Sequence, residues 1–293
     1  MKTADFEHYL RDEKHFSPHT IMAYLNDITC FADFIRVRFE IEEEKGVSAQ
    51  MVRDWILTLS NNGMSARTIC RKIASLRTFF HYLVREQTII HNPMEKITAP
   101  KIKQRNPIYI QQNDISRILN NEIAEEDEFL QLRDNLILEL FYATGVRQAE
   151  ILQIKESDFD FAIGYVRILG KRQKERIIPM HNKLLKQVEA YIKAKQEHGA
   201  TCEQLIIDKH NNPMSRHQIY YLIHRLLASA NVEQKSPHIL RHTFATHLLN
   251  NGADINSIKE LLGHSSLEAT KVYTHNSIED LKRVYKQAHP HAE

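Results

Sequence analysis

Cysteine is scarce in this 293-residue sequence, which contains only Cys30, Cys70 and Cys202. Three scattered cysteines do not make a disulfide framework and are typical of free thiols in a reducing compartment. The amino terminus has no apolar signal region, and no apolar run is long enough to span a bilayer. We therefore expect a cytoplasmic protein without a membrane segment.

Glycine is also scarce, with eight residues in the chain, and none of them builds a Walker-type phosphate loop. His238 and His242 are four residues apart, the spacing of two zinc ligands on a helix. However, no glutamate follows the first histidine as in H-E-x-x-H, and no third ligand is obvious. We therefore expect no metal, no nucleotide and no other cofactor.

The formal net charge of +2 does not by itself indicate a nucleic-acid partner, but the distribution of charge does. Residues 63–105 contain nine Lys or Arg residues against two acidic ones. Acidic runs at Glu42–Glu44 and Glu125–Glu128 balance them elsewhere. The near-neutral total therefore hides a basic region of the kind that contacts nucleic acid.

Apolar residues in the first hundred positions recur with helical rather than strand period. Helices are predicted to start at Ser17, Ser48 and Ser65, whose side chains can cap an amino terminus. In the third of these helices the cations fall mostly off the apolar stripe: Arg67, Arg71, Lys72 and Arg77. Its outer face is predicted to be basic, and it either solubilises the protein or lies against duplex phosphates.

Prolines predict where this helical module ends, because a residue before proline is pushed out of the helical conformation. Pro93 and Pro100 close the helical pattern. We expect a helical domain over residues 1–99, a linker over 100–107 and a second domain over 108–293. The linker is basic, with Lys101, Lys103 and Arg105. Two domains joined in this way can close around a duplex.

Residues 236–275 are the stretch around which the rest of the chain is organised. Ser236 followed by Pro237 predicts the start of a helix, and it places His238 and Arg241 on one face. Such a pair is usually a solvated face. Its alternative role is to bind an anion.

A second short helix is predicted from Asp254 to Gly263, and it delivers His264 immediately past its end. Ser265 then opens a capping box for a third helix, with Tyr273 near the end of that helix. Short helices with tight turns can bring these side chains to one place. Two histidines, an arginine and a phenol then form a phosphate pocket that contains a nucleophile.

Two basic motifs precede this stretch. In the segment ATGVRQAEIL, Gly145 permits a turn, Arg147 stands at the entry of a helix, and Glu150 follows three residues later. The segment YVRILGKRQKERIIPM has the pattern of a β-hairpin. Its basic residues cluster at or near the tip: Lys171, Arg172, Lys174 and Arg176. On spacing alone, both motifs are compatible with ordinary solvated surface.

Taken together, these motifs resemble the catalytic core of the tyrosine recombinases, the phage-integrase family, and in particular its Xer-type members. The motifs of that family are H-x-x-R, L-L-G-H, Y-T-H and T-G-x-R-x-x-E, and here they are His238–Arg241, Leu261–His264, Tyr273–His275 and Thr144–Glu150. Ala149 stands where serine is common, which is a mild departure. The resemblance implies a mostly α fold with a small antiparallel β-sheet or hairpin. It also implies a C-shaped clamp of two domains, in which residues 1–99 bind the core DNA and residues 108–293 form the catalytic domain.

The resemblance also implies a role for each site residue. Tyr273 is the nucleophile that forms a 3′-phosphotyrosyl link, and Lys171 is the general acid, with Lys174 as the rival assignment. The remaining catalytic positions are Arg147, His238, Arg241 and His264, and Glu150 supports the pocket. The residues expected to contact DNA are Arg67, Arg71, Lys72, Arg77, Lys101, Lys103, Arg105, Arg172 and Lys174.

The resemblance implies double-stranded DNA as the partner and a tetramer that forms on two synapsed sites in the nucleoid. A paralogous recombinase and an FtsK-type translocase are further candidate partners. The tail helix, residues 276–293, is expected to dock on the neighbouring subunit. The leading function is resolution of chromosome or plasmid dimers at a dif-like site. The alternatives are an integrase of a mobile element, a type IB topoisomerase and an inactive DNA-binding protein.

Overall fold

The computed structural model describes residues 3–102, 108–120, 127–170, 174–263 and 275–290. Contacts between Cα atoms divide the chain into two compact units, residues 1–105 and 106–293. Each unit has its own hydrophobic core. The division falls inside the segment predicted to be a linker, while the roles assigned to the two domains remain predictions.

The first unit is helical wherever it has regular structure in its described part. Its helices are α1 (Thr3–His8), a short π-helix (Tyr9–Glu13), α2 (Pro18–Phe39), a 3₁₀ turn (Glu44–Gly46), α3 (Ala49–Asn61) and α4 (Ala66–Arg85). Ser17, Ser48 and Ser65 cap α2, α3 and α4, and each side chain accepts a hydrogen bond from the backbone N–H three residues later. The predicted helix starts are confirmed.

Aromatic side chains dominate the core of this unit. The ring of Phe31 on α2 meets that of Trp55 on α3 edge-on at 5.0 Å, and that of Phe80 on α4 at 6.2 Å. All three residues are almost completely buried. Edge-to-face ring pairs add to the free energy gained by burying their area, so these contacts hold the three long helices together.

The second unit is mostly helical with a three-stranded antiparallel sheet, as predicted. Its helices are α5 (Gln112–Asn120), α6 (Glu128–Thr144), α7 (Gln148–Ile151), α8 (Asn182–Glu197), α9 (Arg216–Leu226), α10 (Pro237–Asn250), α11 (Ile255–Leu262) and α12 (His275–Ala288). Its strands are β1 (Phe159–Asp160), β2 (Tyr165–Leu169) and β3 (Glu175–Pro179). Strands β2 and β3 form the predicted hairpin, with Ile168 opposite Arg176.

Helix α12 packs on its own unit. Leu281, Tyr285 and Ala288 are buried in the core of the second unit. The Tyr285 hydroxyl donates to the carbonyl of Ala143 at 3.0 Å, and Asn251 donates to the carbonyl of Ala288 at 2.8 Å. The expectation that this tail docks on a neighbouring subunit is wrong for the single chain, because its apolar stripe is already buried in cis.

In the described parts of the chain, no helix combines the length and the apolar character needed to cross a membrane.

Candidate active site

A left-handed glycine forms the corner between α6 and α7. Gly145 has a φ of 58°, and a Cβ atom at this position would lie 2.5 Å from Cδ1 of Phe244. Both the backbone conformation and the space therefore require glycine. This close approach brings the corner against α10, the helix that carries His238 and Arg241.

Arg241 joins two segments to α10, the corner at Gly145 and the last turn of α11. Its Nη1 donates to the carbonyl of Gly145 at 2.5 Å, and its Nη2 donates to the carbonyl of Leu262 at 2.6 Å. The side chain is buried, with 9% of the residue exposed. A guanidinium has five N–H donors, and these two bonds engage two of them. Arg241 can therefore hold both segments and also donate to an anion.

Arg147 stands at the amino terminus of α7 and is bound twice by Glu150. The Arg147 backbone N–H donates to Oε2 of Glu150 at 2.8 Å, and Nη1 donates to Oε1 at 2.7 Å. The carboxylate is buried, but 38% of the Arg147 side chain is exposed. The pairing thus fixes the guanidinium while leaving part of it accessible to a ligand.

Sequence reasoning missed the position of Arg176. Instead of lying in solvent near the hairpin tip, the residue is 3% exposed. Its Nη2 donates to Oε2 of Glu150 at 2.7 Å, and its Nε donates to the carbonyl of Leu261 at 2.8 Å. The alternation of β3 carried the signal, because Arg176 is two residues from the buried Ile178 and shares its face of the strand.

Charge at this site is unbalanced. Burial alone would raise the pKa of Glu150, but hydrogen bonds and positive charge from Arg176 and Arg147 hold that pKa at about 2. Burial and the nearby charges of Arg147 and Arg176 lower the pKa of Arg241 to about 10. Among the residues of the site that the structure describes, three charged guanidiniums face one carboxylate at neutral pH. A phosphate would relieve this excess of positive charge.

The other predicted catalytic residues are placed only in part. His238 is exposed on α10, three residues before Arg241. Lys171, His264 and Tyr273 lie outside the described residues. Gly170 and Gly263, which immediately precede Lys171 and His264 in the sequence, both border Arg176: ideal Cβ atoms there would lie 3.7 Å from its Nη1 and 3.0 Å from its Cδ.

Not all of the cations predicted for the outer face of α4 are exposed and unengaged. Lys72 does not lie on that face: its ammonium is buried and donates to Oδ1 of Asp27 at 3.0 Å. Arg71 also pairs with Asp27, although its side chain is 44% exposed. Arg77 is exposed but donates to the carbonyl of Ile97 at 2.9 Å. The prediction that Lys72 is available to DNA is therefore wrong, because a buried carboxylate needs its charge.

The remaining residues predicted to bind DNA fall into two groups. Arg67, Lys101 and Lys174 are exposed. The others lie outside the described residues: Lys103, Arg105 and Arg172.

Comparison with protein families gives two matches that together span most of the chain. Residues 109–280 match the phage integrase family, and residues 4–87 match the phage integrase N-terminal SAM-like domain. The site formed by Arg147, Glu150 and Arg241, called the arginine pocket below, lies within the first match together with the β2–β3 hairpin. Helices α2 to α4 lie within the second match.

Curated relatives are similar over nearly the whole length. The tyrosine recombinase XerC of Listeria innocua serovar 6a is 36% identical over 98% of this chain and 97% of its own length. The tyrosine recombinase XerD of Listeria monocytogenes serovar 1/2a is 34% identical over 98% of both chains.

Solved structures share the fold. The XerH site-specific recombinase bound to a palindromic difH substrate has a TM-score of 0.73 and 20% identity, covering 97% of this chain and 84% of that one. The integrase of the Tn1549 transposon, in complex with a circular intermediate DNA, has a TM-score of 0.75 and 18% identity, covering 97% and 99%.

Proposed function

The chain belongs to the phage integrase family and is a site-specific tyrosine recombinase, and on that premise we propose that it cuts and rejoins double-stranded DNA through a 3′-phosphotyrosyl intermediate on Tyr273. The observation that carries the proposal is the arginine pocket. Arg147 and Arg241 are fixed by Glu150 and by backbone carbonyls, and positive charge is in excess. Such a pocket suits the phosphodiester of a DNA backbone.

The chemistry is a pair of transesterifications. The Tyr273 oxygen attacks the scissile phosphorus, the bond from phosphorus to the 5′-oxygen breaks, and a proton from Lys171 produces a free 5′-hydroxyl. Arg147 and Arg241 bind the non-bridging oxygens as charge develops on them. His238 takes the proton of the phenol, whose ordinary pKa near 10 makes it a weak nucleophile, and His264 donates to a phosphate oxygen.

Strand exchange follows from the covalent link. A phosphotyrosine ester conserves the energy of the broken bond, so a 5′-hydroxyl from another duplex can attack it, release Tyr273 and reseal the strand. The residues of this chain thus supply a nucleophile, an acid and fixed cations for each step.

We place the reaction at a dif-like site, where it resolves dimers of a chromosome or plasmid. Support comes from the full-length similarity to XerC and XerD relatives. The working assembly in this proposal is a tetramer on two synapsed sites, with a paralogous recombinase as partner and an FtsK-type translocase as activator. A second candidate is an integrase of a mobile element, which the shared fold of the Tn1549 integrase favours.

A plasmid that carries two directly repeated dif-like sites tests this function. Two parallel reactions are run in EDTA, one with the purified protein alone and one with its paralogue added. Recombination should convert one circle into two. A control plasmid with scrambled sites should stay intact. Recombination between transposon ends but not between dif-like sites would favour the mobile-element alternative, and binding without any covalent complex would contradict the proposal.

A further inference from the structure

Arg176 is a charged residue buried directly behind the arginine pocket. It lies on β3 with 3% of its surface exposed, so it does not reach a DNA backbone bound outside the protein. A guanidinium is costly to bury unless its charge and its donors are satisfied. Contact with DNA therefore does not explain why Arg176 is buried here. Its two hydrogen-bond partners, Glu150 and the carbonyl of Leu261, do explain it.

The first partner connects Arg176 to Arg147. Glu150 accepts from Arg176 Nη2 at 2.7 Å on Oε2, which also accepts from the Arg147 backbone N–H. The other oxygen, Oε1, accepts from Arg147 Nη1 at 2.7 Å. One carboxylate is thus held between two arginines, and the position of the exposed arginine depends on the buried one.

The second partner connects Arg176 to Arg241. Arg176 Nε donates to the carbonyl of Leu261, and Arg241 Nη2 donates to the carbonyl of the next residue, Leu262. Both carbonyls belong to the last turn of α11. Arg176 and Arg241 therefore hold this turn together, one from β3 and the other from α10.

The charge of Arg176 also affects how strongly Glu150 holds Arg147. Arg176 shares the Glu150 carboxylate with Arg147, so that carboxylate does not compensate the charge of Arg147 alone. If Arg176 were absent, Glu150 and Arg147 would form an isolated ion pair. A phosphate would then compete with Glu150 for Arg147.

We infer that Arg176 is a positioning residue for strand cleavage, which holds Arg147 through Glu150 and Arg241 through the end of α11 and keeps both available to the scissile phosphate. This inference rests on the proposed function. A residue that only stabilised the fold would change the folded fraction and leave cleavage by the folded enzyme intact.

The test compares Arg176→Met, Arg176→Lys and a matched control, Arg167→Met. Arg167 lies on β2 of the same hairpin, but it is exposed and pairs with Asp158 at 3.4 Å. For each full-length protein, single-turnover cleavage of a nicked duplex is measured at saturating DNA. DNA affinity and thermal melting are measured in parallel, and rates are expressed per folded molecule.

Cleavage by Arg176→Met should fall on the order of 10²-fold, because a displacement of about 1 Å at a reacting centre costs that much. DNA affinity should stay within a few-fold of wild type. Arg176→Lys should be intermediate, since it keeps the charge but offers one nitrogen in place of a fork. Arg167→Met should cleave like wild type. A folded Arg176→Met that cleaves within threefold of wild type would overturn the inference, as would a loss of affinity equal to the loss of rate.

A second measurement separates this inference from the proposed function, because it uses inorganic phosphate in place of DNA. Phosphate should raise the melting temperature of wild type and of Arg167→Met, and it should raise that of Arg176→Met clearly less. An equal phosphate effect in all three proteins would overturn the role of Arg176 in the pocket, whatever the activity on DNA. If phosphate changes the three melting temperatures as expected but wild type does not cleave DNA, the proposed function alone is contradicted.

Discussion

Glu150 remains ionised although it is buried. Burial disfavours its charge, yet Arg176 and Arg147 overcome this effect and lower its pKa from 4.5 to about 2. A depressed folded-state pKa of a carboxyl stabilises the folded state above the unfolded pKa, and that stability is lost as the pH falls towards the folded pKa. Acid therefore weakens the arginine pocket and the fold together.

Glu150→Gln should reveal this dependence. At pH 7 the variant should be less stable than wild type by up to about 3 kcal/mol, since each unit of pKa shift is worth about 1.4 kcal/mol. The difference should shrink as the pH falls from 4.5 towards 2, because the unfolded chain takes up the proton of this carboxyl below pH 4.5 while the folded state resists it until about pH 2. Urea unfolding at several pH values measures it.

A matched control is Glu203→Gln, which removes an exposed carboxylate paired with Lys155 and should change stability little at any pH. A Glu150→Gln difference as large at pH 3 as at pH 7 would show that the carboxylate is not held ionised by its two arginines.

Lys171 and Lys174 can be separated by the chemistry of the leaving group. Lys171→Ala should slow cleavage by roughly 10²- to 10⁴-fold, the usual effect of removing one general acid. A 5′-bridging phosphorothiolate should restore most of that rate, because a thiolate leaves without protonation. Lys174→Ala serves as the matched variant, three residues away in the sequence. Rescue of Lys174→Ala instead would transfer the role to that residue.

Two buried cations show the limit of sequence reasoning at this scale. Lys72 and Arg176 are polar in any hydrophobicity pattern, so each was assigned to a surface. Their partners are distant in sequence: Asp27 is 45 residues from Lys72, and Glu150 is 26 residues from Arg176. No local pattern reveals such pairs. By contrast, the caps at Ser17, Ser48 and Ser65 act within three residues, and for that reason the helix starts were predictable.

At the scale of elements, α12 makes the largest difference between expectation and structure. Its apolar stripe was recognised in the sequence, but periodicity shows only that a helix has a buried face, and it does not show which chain covers that face. The structure shows that Tyr285 and its neighbours are covered by α6 and α10 of the same chain.

Removal of α12 should therefore destabilise the free protein. A chain truncated before Ile278 should melt far below the intact chain, because the core that Leu281 and Tyr285 cover would be exposed to water. A milder matched variant, Tyr285→Phe, loses one buried hydrogen bond, worth about 1 kcal/mol. It should lower the melting temperature by about 2–4 °C. A truncated monomer as stable as the intact one would contradict cis docking.

On α4, fewer cations are exposed than the sequence predicts, because Lys72 is buried. The salt dependence of DNA affinity can distinguish an exposed cation from the buried one. Arg67→Glu should flatten the dependence of DNA affinity on salt by about one unit of slope or more, because an exposed cation releases counterions when it meets a phosphate. Lys72→Met should leave that slope unchanged and should lower stability, since it leaves the Asp27 charge buried with one partner fewer.

Arg38→Glu, an exposed charge reversal on α2 of the same unit, is the control for Arg67→Glu. If both reversals flatten the salt dependence of DNA affinity equally, the effect comes from net charge. That result would exclude a particular role for α4 in DNA binding.

At the scale of the whole molecule, the arginine pocket lies in the second unit, on elements that the structure describes. Its arginines are held by Glu150, by the carbonyl of Gly145 after α6 and by the carbonyl of Leu262 at the end of α11. The sequence predicted these residues because family motifs mark them. The geometry of their connection was not predictable, because it depends on how α7, β3, α10 and α11 pack.

The central claim is that Tyr273 becomes joined to DNA, and the most direct measurement is to map the covalent adduct. Wild type is incubated with a nicked dif-like duplex in EDTA, the complex is digested, and the peptide that carries the nucleotide is sequenced by mass spectrometry. Tyr165→Phe, on β2, is the matched control for Tyr273→Phe. The account predicts a 3′-phosphate ester on Tyr273, the same adduct from Tyr165→Phe, and no adduct from Tyr273→Phe despite DNA binding within a few-fold of wild type. An adduct on any other residue, a 5′-phosphate link, or a covalent complex formed by Tyr273→Phe would contradict it.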